Sequence, residues 1–460
     1  MMKRAVQLYG VLTILFLLVG FLQSWSVALV TLNLCLISAV MALGVNIQWG
    51  YAGLFNAGIM GFAAIGGVVA LLVGHAPVSG AVEVGGVGIA LSFIVQAIGV
   101  VAAVISFRYL KGVLKYALPA VVLIVSFVLF RQIFVPARQA IEAYDPAASG
   151  FMGGLGLPIL FSWPLAGLAA AGAAFLVGKV ALGLRSDYLA IATLGISEII
   201  VAMVKNENWL TRGVKNATGL PQPVPDGRLL QQQTWLIDLV TSMNRSYLDA
   251  LPATEQTAAL RLLVAEASSI IVKLTFAGLF AAVLAGLLAL CVFALSSPWG
   301  RMIRAIRDNE TAAGAMGKDV AWRHLQILML GSAIVGIAGA MLVTLDGQLT
   351  PAAYIPLRYT FLIWVMVIVG GSGSNVGSVF GAFLIWFVWV QSEPIGYWLV
   401  KMTTFWMSDT SPIRTHLLEQ AQYFRVLMMG TILLLVLRFH PQGVLPERPG
   451  RSRQSRSAGE

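Results

Sequence analysis

The sequence predicts an all-α fold, a polytopic bundle of about 10 to 12 membrane-spanning helices, on three observations. The chain is 58% hydrophobic and only 11% charged, whereas soluble domains carry about 25% charged residues. Apolar runs close to the roughly 20 residues that a helix needs to cross a bilayer recur along its whole length. The connections between those runs leave no soluble domain of useful size, and a helix satisfies its own backbone groups within lipid.

Taken in order, the apolar runs fall at about 6–23, 27–46, 54–74, 87–107, 114–135, 163–184, 187–204, 269–295, 324–345, 358–371, 376–398 and 426–438. The first opens on Lys3 and Arg4 before an apolar core, as a secretory signal does. It lacks a small-x-small cleavage site and another apolar run follows at once, so residues 1–26 read as a transmembrane helix. Residues 27–445 then form the main membrane unit, interrupted by a polar loop at 297–323, and 446–460 form a flexible basic tail. The tenth and twelfth runs are short for a span.

The third run and its approach read GYAGLFNAGIMGFAAIGG, with Gly50, Gly53, Gly58, Gly61, Gly66 and Gly67. Each glycine costs a helix about 0.8–1 kcal/mol relative to alanine, so six need a compensating use. One use is close packing of helices through small residues. The other is a broken segment whose backbone lines a path for solute, with Asn56 as a side-chain donor and acceptor; the residues alone leave both open. In the seventh run, Glu198 is an acid in apolar surroundings. Such a carboxylate costs about 2.5 kcal/mol or more if charged at a helix centre and marks function by default, unless it reaches interfacial water or pairs with Lys205. GGSGSNVGSVFG at 370–381 repeats the glycine-rich composition between the tenth and eleventh runs.

Several chemistries are excluded by spacing. A Walker A loop needs GxxxxGK followed by Ser or Thr; the 370–381 stretch has no Lys, and around Lys318 the first glycine is replaced by Ala312 while Asp319 follows the Lys. No nucleotide site is therefore expected. Cys35 and Cys291 lie inside apolar runs and read as packed core residues. His75, His324, His416 and His440 are far apart and form no HExxH-type spacing, so no metal, no cofactor and no catalytic constellation is expected.

Charge gives orientation. With an even span count and a cytoplasmic N-terminus, one side collects more than half of the 30 Lys and Arg but fewer than a third of the 20 acids. That side then faces the cytoplasm, with both termini and the 297–323 block, by the positive-inside rule. The net charge of +10 is explained by this bias and by the RSRQSRS tail near anionic lipid, so nucleic acid is not an expected partner.

The loop SPWGRMIRAIRDNETAAGAMGKD, 297–319, is the most polar block between apolar neighbours. Trp299, Met302, Ile303, Ile306, Ala313 and Met316 recur at helical spacing, with Arg301, Arg304 and Asp308 on another face, which predicts a short amphipathic helix over 299–316. Arginines could hold such a helix against lipid headgroups. The small-residue surface after Glu310 could instead admit a partner closely.

The pattern E-x-A-A-x-x-x-G in this loop resembles the coupling loop of ABC importer permeases. GYAGLFNAGIMGF, LGLRSDYLAIATLGISEI, VMVIVGGSGSNVGSVFGA and FHPQGVLPE extend the likeness in order along most of 27–445. Together they resemble the branched-chain amino acid ABC permeases, specifically the longer, M-type of the two. The resemblance implies an inner-membrane permease that is not itself an enzyme. It implies two cytoplasmic ABC ATPase subunits, a second related permease and a periplasmic solute-binding protein as partners. It also implies that Arg304, Arg307, Glu310, Ala312, Ala313 and Gly317 form the ATPase-coupling surface, and that Gly53, Asn56, Gly58, Glu198, Gly370 and Gly371 lie on or near the translocation path. The chain departs from the family pattern at Asn56, where Ser is usual, at Ser186, where Gly is usual, and at TRGVKNATGLP, where T-G-G-x-x-G is usual. The solute is accordingly a branched-chain amino acid or a related small polar molecule such as urea, a short amide or another amino acid. A stand-alone ion-coupled transporter or channel is the rival reading, and it calls for several buried ionisable residues and inverted repeats.

Overall fold

A computed structural model describes residues 2–146, 150–184, 186–408 and 411–447. Twelve apolar helices form the bundle: α1 (Met2–Leu22), α2 (Trp25–Val45), α3 (Ile59–Gly74), α4 (Val87–Tyr109), α5 (Leu114–Ala143), α6 (Ser162–Ala181), α7 (Ser186–Asn206), α8 (Ala253–Ser296), α9 (Val320–Asp346), α10 (Pro356–Gly370), α11 (Asn375–Thr403) and α12 (Phe424–Phe439). Among the described residues, ten helical segments are long and apolar enough to cross a membrane, and α3 and α10 are shorter. The chain is a multi-pass membrane protein built as a helical bundle. The basic tail from residue 448 onward and the side chain of Ser186 lie outside the described residues.

Several span boundaries differ from the expectation: α5 runs on to Ala143 rather than about 135, and α8 starts at Ala253 rather than near 269. The third helix begins at Ile59 rather than near 54, because Ala52–Gly58 is not helical. The last span is longer than its apolar run, since Pro412–Gln420 and one tight turn at Ala421–Tyr423 lead straight into α12.

Helix ends follow from capping chemistry. The Ser24 hydroxyl accepts from the Val27 amide to start α2, Asp319 from the Trp322 amide to start α9, and Ser374 from the Gly377 amide to start α11. Gly347, at φ +63°, stops α9 in the left-handed conformation that glycine tolerates. Beyond it Gln348–Leu349 (β2) pairs antiparallel with Ala217–Thr218 (β1), in register Ala217 with Leu349 and Thr218 with Gln348. This small ribbon marks the end of the bundle opposite the 297–319 segment, hereafter the far end; the other is the loop end.

Most of α2, α9 and α11 is buried, while α1, α4, α5 and α12 present apolar side chains outward. Within lipid the hydrophobic effect does not pull helices together, so contact depends on close packing. The α3–α9 crossing shows how: a Cβ on Gly66 would lie 2.0 Å from the Gly336 carbonyl oxygen, and one on Gly339 would lie 2.0 Å from that of Ala63. Gly61, Gly66 and Gly67 thus serve helix packing, one of the two uses open from sequence. The longest helix, α8, has 44 residues; its far half carries the short helices Thr234–Met243 and Arg245–Asp249, packed through Leu236, Val240 and Val264.

Candidate functional site

The polar segment folds as two helices, not the single amphipathic helix expected. Pro298–Asp308 ends at Asn309, whose extended backbone breaks the helix and whose side chain accepts from the Ala312 amide at 2.9 Å to start Glu310–Ala315. Ile303 and Ile306 are buried against the bundle and Trp299, Met302 and Ala313 are half-buried, as the apolar spacing required. Met316 departs from that face and is 80% exposed. Glu310, Ala312 and Gly317 are all exposed, and Gly317 turns the chain at φ +73°.

Arg304 and Arg307, which the resemblance assigns to a coupling surface, point inward. Arg304 donates from Nη2 to the Leu295 carbonyl at 3.0 Å and from Nε to that of Gly300 at 3.4 Å, tying the helix to the end of α8. Arg307 reaches further: Nη1 donates to the Gly50 carbonyl at 2.5 Å and to Glu447 Oε2 at 2.9 Å, while Nη2 pairs with Asp308 at 3.2 Å. Only about a quarter of the Arg307 and Glu447 side chains is exposed, so this pair is screened less than a surface pair.

Gly50 belongs to a distinctive stretch. α2 runs on into wider π-type turns at Asn46–Tyr51, and Ala52–Gly58 then crosses to α3 without helical structure. Non-helical backbone in a membrane bundle must find partners within the protein, and buried polar side chains supply them. Asn56, 1% exposed, donates to Gln48 Oε1 at 3.0 Å and accepts from the Gly58 amide at 2.8 Å; its carbonyl accepts from the Trp364 indole at 3.1 Å. Thr193 of α7 accepts from the Ala57 amide at 3.1 Å. A Cβ on Gly58 would lie 2.5 Å from the Thr193 carbonyl oxygen, so Gly58 admits α7 closely. Gly53, at φ +73°, lies beside Arg307, whose Cγ would be 3.5 Å from an added Cβ.

The second glycine-rich stretch joins the same cluster. Asn46 accepts from the Gly373 amide at 2.9 Å and donates to Asn375 Oδ1 at 3.0 Å. Gly370 packs on Gly377 and accepts from the Leu445 amide at 2.9 Å, and Gly371, at φ +121°, passes the Leu445 carbonyl where a Cβ would lie 2.5 Å away. The structure therefore brings Arg307, Gly53, Gly370 and Gly371 together at the loop end, and Asn56 and Gly58 just inside. Glu198 stands apart. The buried stripe of α7 runs through Leu189, Thr193, Ser197 and Val201, and Glu198 lies outside it, exposed among Ile191, Ile199 and Met203. Among the described residues no His, Cys, Asp and Glu group could hold a metal ion.

Sequence reasoning passed over Asn46, Gln48, Asn375, Thr193 and Glu447. Asn46 and Gln48 were visible as polar residues ending an apolar run; Glu447 had no such signal. Replacing Asn46 with leucine strands the Gly373 amide and the Asn375 side chain, and is expected to cost about 2–4 kcal/mol. Cys35 and Cys291 are both buried, so a thiol-reactive dye in a thermal melt reports this loss. An unchanged midpoint would refute the role given to Asn46.

A family model described as branched-chain amino acid transport system / permease component matches residues 140–437. The high-affinity branched-chain amino acid transport system permease protein LivM of Salmonella typhimurium is 26% identical over 309 residues, 67% of this chain and 61% of that protein. Its counterpart in Escherichia coli is 27% identical over 313 residues with the same coverage, and a probable branched-chain amino acid transport permease protein LivM of Methanocaldococcus jannaschii is 27% identical over 155 residues. The aligned part spans about three fifths, 61%, of the first two relatives. No solved structure matches the chain.

Proposed function

Because the chain belongs to the branched-chain amino acid transport permease family, whose members are transport components and not enzymes, we propose that it is the membrane permease subunit of an ATP-driven ABC importer. It spans the bacterial inner membrane with both termini and the loop end in the cytoplasm. Two cytoplasmic ABC ATPase subunits drive it, a periplasmic binding protein delivers solute at the far end, and a second related permease completes the path. The solute is a branched-chain amino acid or a related small polar molecule such as urea, a short amide or another amino acid.

One observation carries this reading: an exposed helix, Glu310–Ala315, is mounted on a helix whose Arg307 grips the Gly50 carbonyl. A push on the exposed helix reaches the junction between π-type turns and the non-helical 52–58 segment directly. Closure of the ATPases then rocks α2 and α3 between two arrangements of the path. The α7 face supports a second permease, since a carboxylate such as Glu198 is costly against lipid and gains from a polar or watery neighbour.

Ala312→Trp tests the assignment. Ala312 is exposed, so folding stability should stay within about 0.5 kcal/mol, while ATPase subunits should no longer co-purify and ATP-dependent leucine uptake should cease. Gly317 serves less well, because its positive φ strains any replacement. A variant that keeps its ATPases and its uptake would sink the proposal, as would a wild-type chain that transports alone without ATP.

A further inference from the structure

In the far half of the bundle, between α2, α9, α10 and α11, lies a cavity of about 220 Å³ that shares no residue with the cluster above. It is smaller than the roughly 300–1,000 Å³ of sites for drug-sized ligands, and so suits a solute the size of a single small amino acid. Met41, Leu362, Ile363 and Trp386 make its wall apolar.

Two polar groups interrupt that wall. Asp346, in the last turn of α9, is exposed where it lines the cavity. The carboxylate stands at the negative end of the helix dipole, which disfavours an anion and favours a cation beside it. Among the described residues it forms no ion pair. Tyr354 is 3% exposed and its hydroxyl, seated over Gly67, has no hydrogen-bond partner. Burial and the nearby Asp346 charge hold this phenol well above its ordinary pKa, so it remains an O–H donor. An unpaired buried hydroxyl costs about 1–3 kcal/mol, a cost that a bound acceptor would remove.

Resting on the transporter reading, we propose that this cavity is a holding site for a small aliphatic amino acid. The ammonium group faces Asp346, the carboxylate accepts from the Tyr354 hydroxyl, and the side chain lies on Met41, Leu362 and Ile363. A site of this kind within one permease chain places the solute one step inside the far end, off the 46–58 segment.

The test uses the full chain in lipid nanodiscs with tritiated leucine as the probe. Asp346→Asn should weaken binding about tenfold or more, which is well above a change from altered packing alone. Tyr354→Phe should weaken it about threefold or more without lowering the thermal midpoint, because the lost hydroxyl had no partner. The amine 3-methylbutylamine should compete for the site and the acid 4-methylpentanoate should not. Undetectable leucine binding by the wild type, unchanged affinity in both variants, or competition by 4-methylpentanoate equal to that of leucine would overturn the site. ATP-dependent uptake in the assembled system separates the two readings. Uptake that persists in Asp346→Asn with unchanged binding removes the cavity and leaves the importer. Binding lost in Asp346→Asn in a chain that no ATPase accompanies removes the importer and leaves the cavity.

Discussion

A chain carrying Gly339→Val is expected not to reach the folded bundle. An added Cβ at this position would lie 2.0 Å from the Ala63 carbonyl oxygen, 2.7 Å from its carbon and 2.8 Å from its Cα. All three are backbone atoms, so no side chain can swing aside, and α3 and α9 must separate. The same crossing is lost again one turn away, where Gly66 meets the Gly336 backbone. Overpacking of this kind costs about 1–3 kcal/mol where neighbours can adjust and more where they cannot; here about 4 kcal/mol or more is expected. The reading is the thiol-dye melt, with Cys35 and Cys291 labelled at low temperature in the variant and protected in the wild type. Gly286→Ala in α8, where an added Cβ meets nothing within 4 Å, is the control and should be neutral or gain up to about 1 kcal/mol. A Gly339→Val chain that melts like wild type would show that the crossing is slack.

Arg307→Met is expected to lower both stability and transport. It leaves Glu447 half-buried without its partner and strips a donor from the Gly50 carbonyl. Hydrogen bonds to charged groups contribute about 1.5–3 kcal/mol, and the loss here should be of that order, since the pair is only partly open to water. Uptake should fall about tenfold or more, a larger effect than stability explains. The charge exchange Arg307→Glu with Glu447→Arg separates the two functions. It restores the ion pair and part of the melting temperature, yet a carboxylate cannot donate to the Gly50 carbonyl, so uptake should stay low. Recovery of full uptake in the exchanged pair would mean that the ion pair alone matters.

The spans were legible because bilayer thickness imposes a length and an apolarity that side chains report directly. The glycines and Asn56 of 50–67 left close packing and a broken segment both open, and what eluded the sequence was which residues did which. Ala52–Gly58 breaks the helix while Gly61, Gly66 and Gly67 pack it, a division that only tertiary partners such as Thr193 and Trp364 decide. The inward turn of Arg307 was likewise hidden. Arg301, Arg304 and Arg307 fall three residues apart on one stripe; Arg304 and Arg307 both turn inward, and Arg307 is held by Glu447, 140 residues later. The small-residue reading fared better: at Gly66 nothing but hydrogen fits against the Gly336 backbone, and glycine in an apolar run is the residue that says so.

α8 has a mechanical consequence. Its 44 residues measure about 66 Å at 1.5 Å per residue, twice the roughly 30 Å of hydrocarbon it crosses. One tip bears the small cap of helices beyond the bilayer, and the other passes at Ser297 straight into Pro298–Asp308. A stiff rod of that length, tipped by about 5° about its middle, moves each end by about 3 Å in opposite directions. The two aqueous compartments are thus linked by a single seesaw beam, and a nudge at either end is felt at the other without relay.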